Sequence, residues 1–174
     1  MEAFEAAKAA WDDSDGRLER PLIHTLKHGR RSFNRAAAAY AMQMVSTSKT
    51  IAALERAIQN KSEHPYVRGQ AAESLAHCHR KKSHNVLLAG LADPSKDVRF
   101  WCSFALGEMA DKRAVPALRV LVQGDHRTIR GFHSVAKEAA AAIRNIEIEN
   151  VGHRRGNGCV FCVRAHARRP KSKS

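Results

Sequence analysis

Val98-Arg99-Phe100-Trp101-Cys102-Ser103-Phe104-Ala105-Leu106-Gly107 has a counterpart 31 residues earlier in Val67-Arg68-Gly69-Gln70-Ala71-Ala72-Glu73-Ser74-Leu75-Ala76. Fainter copies begin at Asn34-Arg35, passing through Ala41-Met42, and at Val135-Ala136, ending in Ala142-Ile143. Each copy sets apolar residues at i, i+4, i+7 and i+8, one face of an α-helix. A second series keeps step with the first. Leu54, Leu87 and Leu118 are spaced by 33 and 31 residues, as are Arg35, Arg68 and Arg99, and one turn later stand Ile58, Leu91 and Val122. Two independent series with one period define a repeat of two helices. Turn signals separate the helices at 61–65, at Asp93-Pro94-Ser95 and at Gly124-Asp125. Pro65 and Pro116 fall in first turns, where a missing N–H costs little.

A pair of short helices cannot cover its own apolar stripe, so successive units must stack. The predicted order is an N-terminal helix over 2–11, a second over 18–28, full pairs over 30–60, 64–92 and 95–123, and a last helix over 134–149. That gives an all-α, right-handed solenoid over 1–149, capped by helices within 2–28, and a flexible basic segment over 150–174.

The run Asp93-Pro94-Ser95-Lys96-Asp97-Val98-Arg99, with Ala105-Leu106-Gly107 and Ala114-Val115-Pro116-Ala117-Leu118, resembles the short HEAT repeat of bilin-lyase type. The resemblance covers residues 18 to 149. It implies the solenoid fold and says little of function, because such repeats serve scaffolds, lyases, hydroxylases and DNA-binding proteins alike. The similar deoxyhypusine hydroxylases bind iron through His-Glu dipeptides, and the sequence has no such dipeptide. HEAT-like alkylpurine DNA glycosylases need aromatics and an acid on the concave face, whereas Trp101 belongs to the outer helix series. The acidic loop at 12–16 fails as a calcium site, since the EF-hand register puts Trp11 first and Leu22 last.

Composition narrows the rest. Aromatics make up 6% of 174 residues and alanine fills much of the apolar share, which suits helices that approach closely. Thirty Lys and Arg against 17 Asp and Glu give +13, favouring acidic partners. Four cysteines, at 78, 102, 159 and 162, are too few and too unevenly placed for a secreted disulfide framework, and no apolar run spans a membrane. The expected compartment is the cytoplasm.

Departures from the repeat mark the candidate sites. Phe100, Trp101 and Phe104 stand where the preceding unit has Gly69, Gln70 and Glu73, and on a helical wheel Phe100 and Phe104 lie off the core stripe. They form either a partner-binding patch or a cluster covered by the following connection, which is six residues longer than its counterparts and contains Ile129 and Phe132. Arg68 and Arg99 are expected to pair with loop acids such as Asp93 or Asp97. Basic turns (Lys27 to Arg31, Arg80 to Lys82, Lys112-Arg113, Arg127 and Arg130) could line one rim of the solenoid.

From His153 onward the chain has seven bases and no acid, and without them the formal charge falls to +6. Arg154, Arg155, Arg164, Arg168, Arg169 and Lys171 are the candidate anion or nucleic-acid contacts. Cys159-Val160-Phe161-Cys162, flanked by His153 and His166, is the candidate metal site, with zinc as the ion. No other cofactor and no catalytic residue is implied. The sequence therefore suggests a non-catalytic scaffold or adaptor that takes a protein partner in its concave groove. Nucleic-acid association through tail and rim is the alternative, and a bilin-lyase-like accessory enzyme a third reading.

Overall fold

A computed structural model describes residues 17–78 and 83–154 of the chain. Within them lie eight α-helices: α1 (Glu19–His28), α2 (Ser32–Val45), α3 (Ser48–Gln59), α4 (Pro65–His77), α5 (His84–Gly90), α6 (Lys96–Glu108), α7 (Val115–Gly124) and α8 (Val135–Arg154). A 3-10 turn, Lys112–Ala114, leads into α7. The expected helix over 2–11 lies outside the described residues.

Local chemistry sets the helix ends. Thr47 and Thr50 form a reciprocal capping box at the start of α3. Pro65 opens α4, where the His64 ring accepts from the Tyr66 N–H. Asp111 caps the 3-10 turn by accepting from the Arg113 N–H. Ser46 at φ 42 and Ala110 at φ 52 take left-handed backbone just beyond α2 and α6, which turns the chain back on itself.

Even-numbered helices α2, α4, α6 and α8 form one closely packed row, and α1, α3, α5 and α7 a second, looser one. Small residues permit the close row. Ala39, Ala71, Ala72, Ala105, Ala139 and Ala142 are all buried in it. At Gly107 an added Cβ would lie 2.8 Å from Ala142 Cα, so the backbones of α6 and α8 nearly touch there. Both periodic series are buried as expected: Leu54, Leu87 and Leu118 are inaccessible, and Val67 and Val98 equally so.

One detail of the predicted organisation changes. Each odd helix packs chiefly against the even helix that follows it, so α7 is the partner of α8 and the last helix is not alone. The spacing of repeats is blind to this choice, because shifting the pairing by one helix leaves the period unchanged.

Candidate functional site

Arginine side chains staple the turns that precede the even helices. Arg35 donates to Glu63 through Nε at 2.8 Å and Nη2 at 2.7 Å, and to the Gly29 carbonyl at 2.7 Å. Arg68 holds Asp93 at 2.6 and 3.1 Å. Arg99 holds Asp125 at 2.7 Å and also donates to the Asp93 carbonyl. Its partner is therefore Asp125, not the Asp97 of its own helix, because the side chain runs along the edge to the next turn. Burial pushes the Asp93 carboxyl up, but hydrogen bonds from Arg68, Lys61 and the Ser95 N–H outweigh it and hold the group below its usual range. Asp125 is likewise held low by Arg127 and Arg99 against the cost of burial. These arginines are structural ties and do not form an open phosphate ladder.

The basic turns do not share one rim. Antiparallel helices alternate the ends at which they turn, so Lys27 to Arg31, Arg127 and Arg130 lie at one edge and Lys112-Arg113 at the other. Arg113 is committed to Asp111, at 2.9 Å from Nη2, and Arg127 to Asp125 at 2.8 Å. Residues 80–82 lie outside the described residues. So do Arg155, Arg164, Arg168, Arg169, Lys171, Cys159, Cys162 and His166; His153 and Arg154 end the backbone of α8.

Phe100 is 1% exposed, unlike the helical-wheel expectation. The long connection after α7 folds over it. Its ring meets Trp101 at 5.2 Å, Phe132 at 5.5 Å and His133 at 5.4 Å between centroids. Ile129 is buried beneath, and a single antiparallel bridge, Thr128 to Ser134, closes the loop. Trp101 and Phe104 remain half-buried, edge to face at 5.7 Å. Gly69 makes room for Trp101, since a Cβ there would sit 2.7 Å from the indole Cδ1.

The same loop assembles a pair that sequence reasoning missed. His133 Nε2 lies 2.7 Å from Glu138 Oε2, with side-chain exposures of 43% and 9%. Burial pushes the Glu138 carboxyl up, and the His133 contact only partly offsets this. A second pair, His84 Nδ1 to Asp111 Oδ2 at 2.8 Å, is buried at 10% and 5% and belongs to the edge that also holds Arg113. Of the two, His133 has a solvent-facing ring, anchored by a carboxylate and set beside aromatic side chains. With Nε2 committed to Glu138, Nδ1 is left to exchange a proton with a ligand.

Around it extends the outward side of the even-helix row. Phe33, Tyr40 and Met44 of α2, Tyr66 of α4 and Phe132 of the loop are five of the seven large apolar residues exposed among those described. On the odd-helix side the described residues form a groove of about 240 Å3 between α1 and α3, lined by Ile23, Leu26, Ala53 and Ala57 with Lys27 and Arg56.

Comparison with known proteins agrees with the fold and bears on the function. Residues 57–133 match the family model of HEAT repeats. Deoxyhypusine hydroxylase of Arabidopsis thaliana is 36% identical over 81 residues, 46% of this chain and 26% of that protein. Deoxyhypusine hydroxylase-B of Oryza sativa subsp. japonica is 33% identical over 100 residues, 56% of this chain and 33% of that one. The chain thus spans about a quarter to a third of the length of these curated relatives. Among solved structures, the complex of CpcE and CpcF of phycocyanin lyase from Nostoc sp. PCC7120 superposes with a TM-score of 0.61 at 25% identity, covering 72% of this chain and 52% of that one. Human deoxyhypusine hydroxylase in complex with glycerol gives 0.59 at 22% identity, covering 77% and 44%.

Relatives named for an enzymatic activity correct the expectation of a non-catalytic scaffold. They point to an enzyme. Iron, which the hydroxylase resemblance implies, is another matter. No three His, Cys, Asp or Glu side chains gather as a metal site among the described residues, and the sequence holds no His-Glu dipeptide. The residues described do not fit that ion. No described helix is long and apolar enough to cross a membrane.

Proposed function

We propose that this chain of HEAT repeats is a component of an enzyme that acts on a protein, with His133 as its acid–base group. The observation that carries the reading is the His133–Glu138 pair, 2.7 Å apart, with the His133 ring exposed and its centroid 5.4 Å from that of Phe100. Proton transfer is what such a pair can supply, so addition and elimination of the lyase kind suit it better than oxidation at iron. Glu138 orients the ring, while the aromatic residues hold the apolar part of the substrate. The likeness to the two-chain phycocyanin lyase supports a protein assembly around the site. The similarity to the hydroxylases supports the enzymatic character.

The test incubates the full chain, alone and with the polypeptides that co-purify with it, with apo-phycocyanin and a bilin, and in parallel with a deoxyhypusine-bearing protein. The mass of the acceptor protein is followed. Acceptor modification that falls about 100-fold in His133→Asn and less in Glu138→Gln is expected, the usual scale for a general base. Modification that persists unchanged in His133→Asn, or no modification of either acceptor, would refute the assignment.

A further inference from the structure

The outward side of the even-helix row carries carboxylates that the rest of this basic chain leaves alone. Glu63, Asp93, Asp111 and Asp125 each meet an arginine or lysine. Glu73, Asp97 and Glu108 meet none among the described residues. Glu73 accepts from Gln70 at 2.7 Å, and Glu108 from Asn145 at 3.5 Å. Their repeat positions lie on one side of α4 and α6, interleaved with Tyr66, Trp101 and Phe104. Phe104 faces His77 across the two helices at 6.5 Å, which joins the two stripes. Unpaired carboxylates among aromatic rings make a receptor for guanidinium and ammonium groups, which gain both an ion pair and a cation–π contact.

We propose that this surface is the docking site of the chain's own basic segment, residues 155–174. That segment has six Lys and Arg and no acid, against three unpaired acids on the face. It continues from α8, the last helix of the same row, so its point of attachment borders the surface. Twenty residues reach up to about 66 Å, while four helices at 8–10 Å spacing measure roughly 30 Å across. Tethering supplies a millimolar effective concentration, so individually weak contacts suffice. The docking itself does not depend on the enzymatic reading, and its test does not read activity.

The experiment uses the full chain with Trp11→Phe, so that Trp101 supplies the single indole N–H. Cys159→Ser leaves Cys162 to carry a nitroxide, since Cys78 and Cys102 are buried. The Trp101 indole resonance is expected to lose at least about half its intensity at low salt and to regain it at 1 M salt, where the screening length is about 3 Å. The loss is expected to persist on tenfold dilution and to shrink in Glu73→Gln/Glu108→Gln. An indole resonance unaffected at low salt overturns the proposal. So does a loss that disappears on dilution, which assigns the contact to a second copy.

Discussion

Asp125→Ala offers the sharpest test of how the fold holds the site. The carboxylate is 5% exposed, accepts from Arg99 Nε at 2.7 Å and from Arg127 Nε at 2.8 Å, and begins the connection that carries Phe132 and His133. Removing it leaves the Arg99 guanidinium, itself 7% exposed, with the Asp93 carbonyl as its one remaining acceptor. A surface pair is worth at most about 1 kcal/mol, whereas breaking a buried one costs about 3–5 kcal/mol because the survivor stays charged and dry. The Arg127 contact, with that side chain mostly in water, adds little. A loss near 3 kcal/mol is therefore expected, read as a fall in the urea midpoint at unchanged slope by far-UV circular dichroism. The double variant Arg99→Met/Asp125→Leu should recover most of it, since the buried charge is gone. A loss in Asp125→Ala below about 1 kcal/mol, or a double variant less stable than the single, would refute the claim that the ladder is a buried structural tie.

Other expectations follow from the same geometry. Gly107→Ala should destabilise by about 1–2 kcal/mol, because overpacking against the Ala142 backbone outweighs the helix gain of about 1 kcal/mol, whereas Gly124→Ala, with open space around it, should be neutral or stabilising; thermal melts compare the two. Phe132→Ala should cost less than Phe100→Ala, for which about 3–5 kcal/mol is expected, since Phe132 is 52% exposed and Phe100 is not; equal losses would contradict the covering arrangement. Glu63, Asp93, Asp111 and Asp125 have carboxyls held below their ordinary values, so their stabilisation is complete above the unfolded values near 4 and disappears as the pH falls below them. Acid unfolding should set in below about pH 4, and Asp125→Asn, once its own loss is subtracted, should flatten that limb.

The comparisons leave function and fold on different footings. The match to HEAT repeats covers residues 57–133 and the superpositions agree with the fold, while the enzymatic reading rests on relatives of which the chain spans a third or less. Departures from the repeat again mark the places of interest. Unit three has aromatic side chains where unit two has Gly69, Gln70 and Glu73, and its following connection is the long one. Both are deviations that any repeat alignment exposes, although what they build together was hidden until the loop was placed.

The period, the helices and the buried Leu and Val series were written in the sequence, because helical periodicity is local and a stacked repeat reports its own step. The arginine ties were half legible: position 35, 68 or 99 calls for an acid, but Asp125 rather than Asp97 is chosen by the distance between neighbouring turns. Tertiary structure alone decided that odd helices pair forward, that the basic turns divide between two edges, and that His133 meets Glu138 above a buried Phe100. Those outcomes depend on which surfaces meet across helices and on the path of one irregular loop. No residue-to-residue spacing encodes either of them.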